Sequence, residues 1–160
     1  MIAIHQQTGL DLFNPLQEIL KKHLNLSAAC VPSIDVPANA RDPLRNQYNA
    51  NAITHAITAS RKFDLHLVVV DVDLYAPGMN FIFGQADPVS KTAVVSIYRL
   101  AGTRLNERLA KEVVHEILHL LGLSHCPDSD CIMYFSNTIA DTDRKKVSLC
   151  NSCRRKLEAL

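Results

Sequence analysis

Residues 115–126 read HEILHLLGLSHC, and the rest of the chain is best understood outward from this run. His115 and His119 stand four apart, so on a helix their imidazoles share one face, one turn apart. Two imidazoles so placed can bind one zinc ion at Zn–N distances of about 2.0–2.1 Å. Glu116 sits beside the first of them, where a carboxylate can act as general base on a water activated by the metal. Gly122 is a natural place for the helix to stop, because glycine accepts the left-handed conformation at a helix C-terminus. The chain can then turn back and deliver His125 to the same ion. Three protein ligands leave a fourth position for water, which is the composition of a catalytic zinc site. An amphipathic helix can place two histidines four apart by coincidence. It has no reason to add Gly122 and His125 at fixed offsets beyond them.

A second constellation starts where the first ends. Cys126 and Cys131 form C-x4-C, and Cys150 and Cys153 form C-x2-C. Four thiolates from two short loops make a closed tetrahedral site, the usual composition of structural zinc. Such a site contributes folding energy to a segment with little apolar core. The alternative is paired disulfides or free thiols, and disulfides suit a secreted protein. His125 and Cys126 are adjacent, so two metals are expected as near neighbours, with the cysteine site fixing the position of the third histidine. Met133, in the stretch CIMYF, is expected to pack and not to ligate.

The combined pattern, HExxHxxGxxHC followed by C-x4-C, C-x-M and a later C-x-x-C, resembles the archaemetzincins, a family of metzincin-type zinc metalloproteases. RNQYNA at 45–50, VDLYAPGMNFIFGQAD at 72–87 and MYFSNTIADTDRKK at 133–146 resemble the family as well, so the likeness runs from Met1 to about Lys156. It implies catalytic zinc on His115, His119 and His125, and Glu116 as general base. It implies a second zinc on Cys126, Cys131, Cys150 and Cys153, with Met133 as the Met-turn residue beneath the histidines. The fold implied is α/β (α+β): a small single-domain metzincin-like fold with a twisted mixed sheet, a backing helix and a zinc-site helix. Residues 1–160 then form one metalloprotease domain. Its N-terminal subdomain, 1–122, holds the sheet and active-site helix, and an irregular C-terminal subdomain, 123–160, holds the structural zinc and Met-turn.

Composition agrees with a small intracellular enzyme. The 160 residues are 48% hydrophobic, enough for the core of one domain. A net charge of +1 gives no argument for nucleic acid or a membrane surface. MIAIHQQTGLDLF at the start has neither a basic leader nor a long apolar run, so it does not read as a signal peptide. The apolar runs are too short to span a bilayer. Cys30 is the one cysteine outside the proposed metal site and reads as a buried small hydrophobe. A reducing cytoplasm and a monomer are expected.

Pattern gives an alternation of strands and helices. Met1–Gln6 reads as a strand. Leu12–Leu26, with apolar residues at Leu12, Leu16, Ile19 and Leu20, reads as a helix. Ala28–Ile34 reads as a second strand, residues 35–47 as a loop around Pro37 and Pro43, and Asn49–Lys62 as a helix. Leu65–Val72 (LHLVVVDV) is nearly continuous in β-branched and apolar residues, as a central buried strand should be. Ala76-Pro77-Gly78 predicts a type II turn. Asn80–Gln85 and Thr92–Tyr98 read as strands and Leu105–Leu121 as the zinc helix, with short helical pieces near 141–148 and 151–159. By the family resemblance, Asn80–Gln85 with its Phe81, Ile82, Phe83 and Gly84 would be the sheet edge that pairs with an extended peptide.

Other residues carry plainer readings. His5, His23, His55 and His66 lack ligand spacing and read as surface or satisfied core histidines. Tyr134 could reach an oxyanion but reads as packing or surface. Asp141 and Asp143 are expected to cap a short helix. Arg144-Lys145-Lys146 and Arg154-Arg155-Lys156 read as a solvated basic face. Two functions follow. The first is a zinc-dependent metallopeptidase acting on a peptide or protein. The second is a non-catalytic zinc-binding module contacting a protein or RNA, which would have no need of Glu116.

Overall fold

The computed structural model describes residues 1–33, 35–57 and 62–160. Its centre is the strand read from LHLVVV, β5 (Leu65–Val70), buried on both faces from His66 onward. β1 (Ile2–Gln7) and β8 (Thr92–Ser96) flank it in parallel, β2 (Ala28–Cys30) lies parallel outside β1, and β7 (Gly84–Asp87) closes the other edge antiparallel to β8. Strand side chains alternate between faces. Ile2, Ile4, Leu67, Val69, Ala93 and Val95 therefore turn to one side, where they pack with Leu16 and Leu20 of α1 (Phe13–Leu24) and Leu109, Val113 and Ile117 of α3 (Leu105–Leu120). Val68, Val70 and Val94 turn to the other side and pack with Ile53 of α2 (Ala50–Ala56), Leu74 and Ile82. Each such aliphatic side chain contributes about 1.5–3 kcal/mol by leaving water.

A second, smaller sheet was not visible in the sequence. β3 (Arg41–Asp42), β4 (Gln47–Asn49) and β6 (Leu74–Tyr75) form it within and beyond the stretch read as a loop. Strands of two or three residues are too short to show alternation. The strand expected at Asn80–Gln85 is displaced: the ladder runs over Gly84–Asp87, and Phe81–Phe83 lead into it. Ile82 bridges to Leu74 and its N–H donates to the Leu74 carbonyl, so this apolar run crosses between the two sheets. The type II turn is present, with Gly78 at φ +80° and the Met79 N–H on the Ala76 carbonyl at 3.0 Å. The second strand covers only Ala28–Cys30, and Ile34 lies outside the described residues. α2 is capped by the Asn49 side chain on the Ala52 N–H; residues 58–61 of the expected helix also lie outside them.

Beyond α3 the chain is held by a small core of Val114, Leu118, Leu123, Ile132 and Met133 with Cys131 and Cys153. α4 (Ile139–Arg144) starts on a capping box between Thr138 and Asp141. Asp143 does not cap. It pairs with Arg108 at 2.8 Å and docks α4 on α3. α5 (Asn151–Glu158) starts at Cys150. Two further sequence readings are corrected here. Cys30 is exposed, because β2 is the outermost strand. Lys145 is not part of a solvated face: it is completely buried and ion-paired to Glu112 at 3.2 Å, while its neighbours Arg144 and Lys146 are exposed. Among the described residues no helix is long and apolar enough to cross a membrane.

Candidate active site and metal centres

The site lies where α3 passes beneath the β7 edge. His115 and His119 project from one face of α3, and their Nε2 atoms are 3.1 Å apart. The helix then ends as Gly122 predicted. Gly122 has φ +105°, its N–H reaches the His119 carbonyl, and the Leu123 N–H reaches the Leu118 carbonyl. This pair of bonds is a Schellman motif, which needs a left-handed residue at that position. The reversal brings His125 back, its ring stacked on His115 at 5.3 Å and set edge-on to His119 at 4.7 Å. One nitrogen from each of the three lies within 4.8 Å of the others.

Hydrogen bonds decide which nitrogens face inward. Nδ1 of His115 is 2.7 Å from the Ile132 carbonyl, and Nδ1 of His119 is 2.7 Å from the Leu123 carbonyl. A carbonyl only accepts, so both Nδ1 atoms carry hydrogen and both Nε2 atoms present lone pairs. Two lone pairs facing at 3.1 Å repel unless a cation lies between them. Burial holds His115 well below the usual histidine range and lowers His119 and His125 too. Two nitrogens on a tetrahedral zinc would stand about 3.3 Å apart, and the spacing suits that ion.

Glu116 is buried beside this group. Burial, and then repulsion from Glu112, push its carboxyl well above the usual carboxylate range, while Lys145 opposes them. Its place depends on Gly84. A Cβ there would stand 3.0 Å from Glu116 Cγ and Oε1 and 2.8 Å from the Val94 carbonyl, so only glycine lets β7 approach α3 this closely. A cleft of about 600 Å³ opens over the histidines and Glu116. Met79, Ile82 and Phe135 give it apolar walls, and Glu116 is the only acidic residue lining it among the described residues. Phe135 rests 5.0 Å from the His125 ring, whereas Tyr134, its neighbour, does not line the cleft.

The rim carrying Met79 is clamped from a distance. Arg45 donates to the Met79 carbonyl at 2.6 Å and the Asn80 carbonyl at 3.2 Å, and lies over the Tyr75 ring. Gln47 donates to the Asn80 carbonyl and to Asp73. Asp73 also receives a two-pronged contact from Arg99. Sequence reasoning gave no site role to Arg45, Gln47, Lys145 or Phe135, although the stretches at 45–50 and 133–146 that hold them resemble the family, and it placed Gly84 in the substrate-pairing strand without its contact to Glu116.

Cys126, Cys131, Cys150 and Cys153 converge next to His125. Their sulfurs lie within 4.8 Å of one another, and those of Cys126 and Cys150 are 3.8 Å apart. A disulfide would put sulfurs about 2.05 Å apart, and all four are free thiols. Zn–S bonds of about 2.3 Å at tetrahedral angles give about 3.8 Å. Backbone N–H groups already point at sulfur: Cys150 N to Cys131 at 3.4 Å and Cys153 N to Cys150 at 3.5 Å. The Cys153 N–H lowers the Cys150 thiol to about 7, while burial raises Cys131 and Cys153. The spacing of the four sulfurs suits a tetrahedral zinc ion.

The remaining histidines do not join the site. His55 is exposed and pairs with Asp87. His5 and His66 face each other at 3.0 Å across β1 and β5, and burial lowers His5 to about 4.

The chain is similar to known proteins over most of its length. The model of peptidase family M54 matches residues 16–159. An archaemetzincin of Archaeoglobus fulgidus is 41% identical over 159 residues, covering 98% of this chain and 94% of that protein. One from Pyrobaculum aerophilum is 48% identical over 116 residues, covering 72% and 74%. Among solved structures, the Archaeoglobus fulgidus archaemetzincin complexed with malonate superposes with TM-score 0.83 at 36% identity, covering 98% of this chain and 99% of that one. A zinc-dependent peptidase from Methanocorpusculum labreanum superposes with TM-score 0.86 at 28% identity, covering 98% and 100%.

Proposed function

The chain belongs to peptidase family M54, the archaemetzincins, and is a zinc metallopeptidase; from that premise we propose that His115, His119 and His125 hold the catalytic ion and Glu116 is the general base. A second zinc on Cys126, Cys131, Cys150 and Cys153 is structural in this reading. The observation that carries it is the buried carboxyl of Glu116 beside inward-facing lone pairs of His115 and His119. Bound zinc would supply a Lewis acid that polarises the scissile carbonyl and acidifies water at neutral pH.

The protein's own groups do the rest. Substrate lies in the cleft as an extended chain along the free edge of β7, whose backbone groups pair with it as with an added strand. Glu116 takes the proton from the attacking water and passes it to the leaving amine as the C–N bond breaks. Burial raises its affinity for a proton, which suits a group that takes one from water and holds it until the amine leaves. Met79, Ile82 and Phe135 favour uncharged segments around the scissile bond. A monomer in a reducing cytoplasm, which keeps the four thiols available to metal, completes the proposal.

The test is a peptide-library cleavage assay beside metal analysis, for the wild type and Glu116→Gln. Cleavage should fall on the order of 10²–10⁴-fold with unchanged zinc content. Undiminished cleavage by the variant would remove Glu116 from the mechanism.

A further inference from the structure

Lys145 sits in the run Arg144-Lys145-Lys146, and it alone of the three is buried. Its ammonium is 3.2 Å from Glu112 Oε1 and donates to the Tyr134 carbonyl at 3.3 Å. The same carboxylate oxygen accepts from Thr142 Oγ1 at 2.9 Å. Glu112 is itself buried on α3, one turn before Glu116. One contact therefore joins the active-site helix, the end of α4 and the turn Cys131–Phe135.

That turn serves the site twice. Ile132 presents the carbonyl that fixes Nδ1 of His115, and Phe135 backs the ring of His125. Stability alone does not account for a lysine in this place, because a buried ion pair is seldom better than an apolar pair of the same volume.

We propose that Lys145 is a positioning residue for the histidine metal centre: by tying the Tyr134 carbonyl to Glu112 it sets the turn from which Ile132 orients His115 and Phe135 supports His125. The proposal rests on the reading of His115, His119 and His125 as ligands.

The experiment compares the wild type, Lys145→Met and the double variant Glu112→Gln/Lys145→Met, each loaded with Co(II). The three-nitrogen and four-sulfur sites absorb differently, so the affinity of each is read separately by chelator competition. Melting temperature and the ¹⁵N signals of the imidazoles are recorded alongside. Lys145→Met leaves Glu112 buried without its partner and should lose both stability and affinity at the histidine site. The double variant removes both charges of the pair and leaves neither buried without the other, so it should fold with an intact sulfur site. It should still bind metal at the histidines about 10–100-fold more weakly, the usual consequence of loosening a ligand's outer partner. The Nδ1 signal of His115 should shift with it. Wild-type affinity at the histidines in the double variant would overturn the proposal, since the pair would then only neutralise charge. Absence of any metal at the histidines in the wild type would instead remove the ligand reading itself, and Lys145's role with it.

Discussion

The two clusters at either side of the His125–Cys126 bond differ in what holds them. Two of the histidines stand on α3, whose apolar side is buried against the main sheet, and their orientation is set by carbonyls of Ile132 and Leu123. The cysteines come from loops and the first turn of α5, in a region whose core is only a few side chains. The histidine cluster is thus arranged by the fold, and opens on a cleft. In the proposed reading the cysteine cluster, once it holds zinc, arranges the fold around it. A metal removed from the first should leave its scaffold standing. A metal removed from the second takes away what holds the scaffold together.

The sharpest way to break this contrast is at the junction. His125→Ala should abolish detectable peptide hydrolysis and the loosely held metal, yet leave the melting temperature close to that of the wild type. Cys126→Ser, one residue on, should lose several kcal/mol of stability, the scale of a structural zinc site. The stretch 126–153 should then become protease-sensitive, and activity should fall because His125 loses its place. Equal effects of the two variants on melting would erase the distinction between the sites.

A smaller effect is expected from Gly84→Ala. The new methyl would meet the Val94 carbonyl at 2.8 Å and Glu116 at 3.0 Å. Overpacking of this kind costs about 1–3 kcal/mol. The larger consequence is catalytic: a displacement of about 1 Å in Glu116 should lower kcat roughly 10²-fold, with metal content unchanged. A variant with wild-type kcat would mean that β7 and α3 need not approach so closely.

The smallest effect is expected from a histidine outside both clusters. His5 is lowered to about 4 in the fold, through burial and then His66, against 6.5 for the free side chain. Below pH 6.5 the unfolded chain takes up a proton that folded His5 refuses until about pH 4. Its contribution to stability is therefore complete above pH 6.5 and is lost as pH falls towards 4. The loss should be roughly 1–3 kcal/mol after allowance for solvent screening. Denaturant melts of wild type and His5→Phe across this window would show it, and parallel pH curves for the two would exclude His5 as the source.

What could be read from the sequence followed the local rules. LHLVVV gave the central strand because a buried parallel strand needs no polar face, and α3 was legible from its spacing and from Gly122. The convergence of the histidines and of the cysteines was legible because their members lie within short runs. The misreadings share a different cause. FIFG is as apolar as a ladder strand, yet Phe81–Phe83 cross from one sheet to the other. Lys145 looks solvated among its basic neighbours, and only the packing of α4 on α3 buries it. Arg45 and Gln47 act across more than thirty residues of chain on the Met79 rim, a separation no local pattern reports.

The central claim is that one site performs the chemistry and the other maintains the fold. Graded chelation of the zinc-loaded protein tests it most directly, with metal content, peptide cleavage and circular dichroism followed together. Two zinc ions per chain should leave in two steps. The first should end cleavage and leave the helical signal in place, and the second should unfold the part beyond α3. A single metal per chain at saturation, or loss of structure with the first ion released, would contradict it.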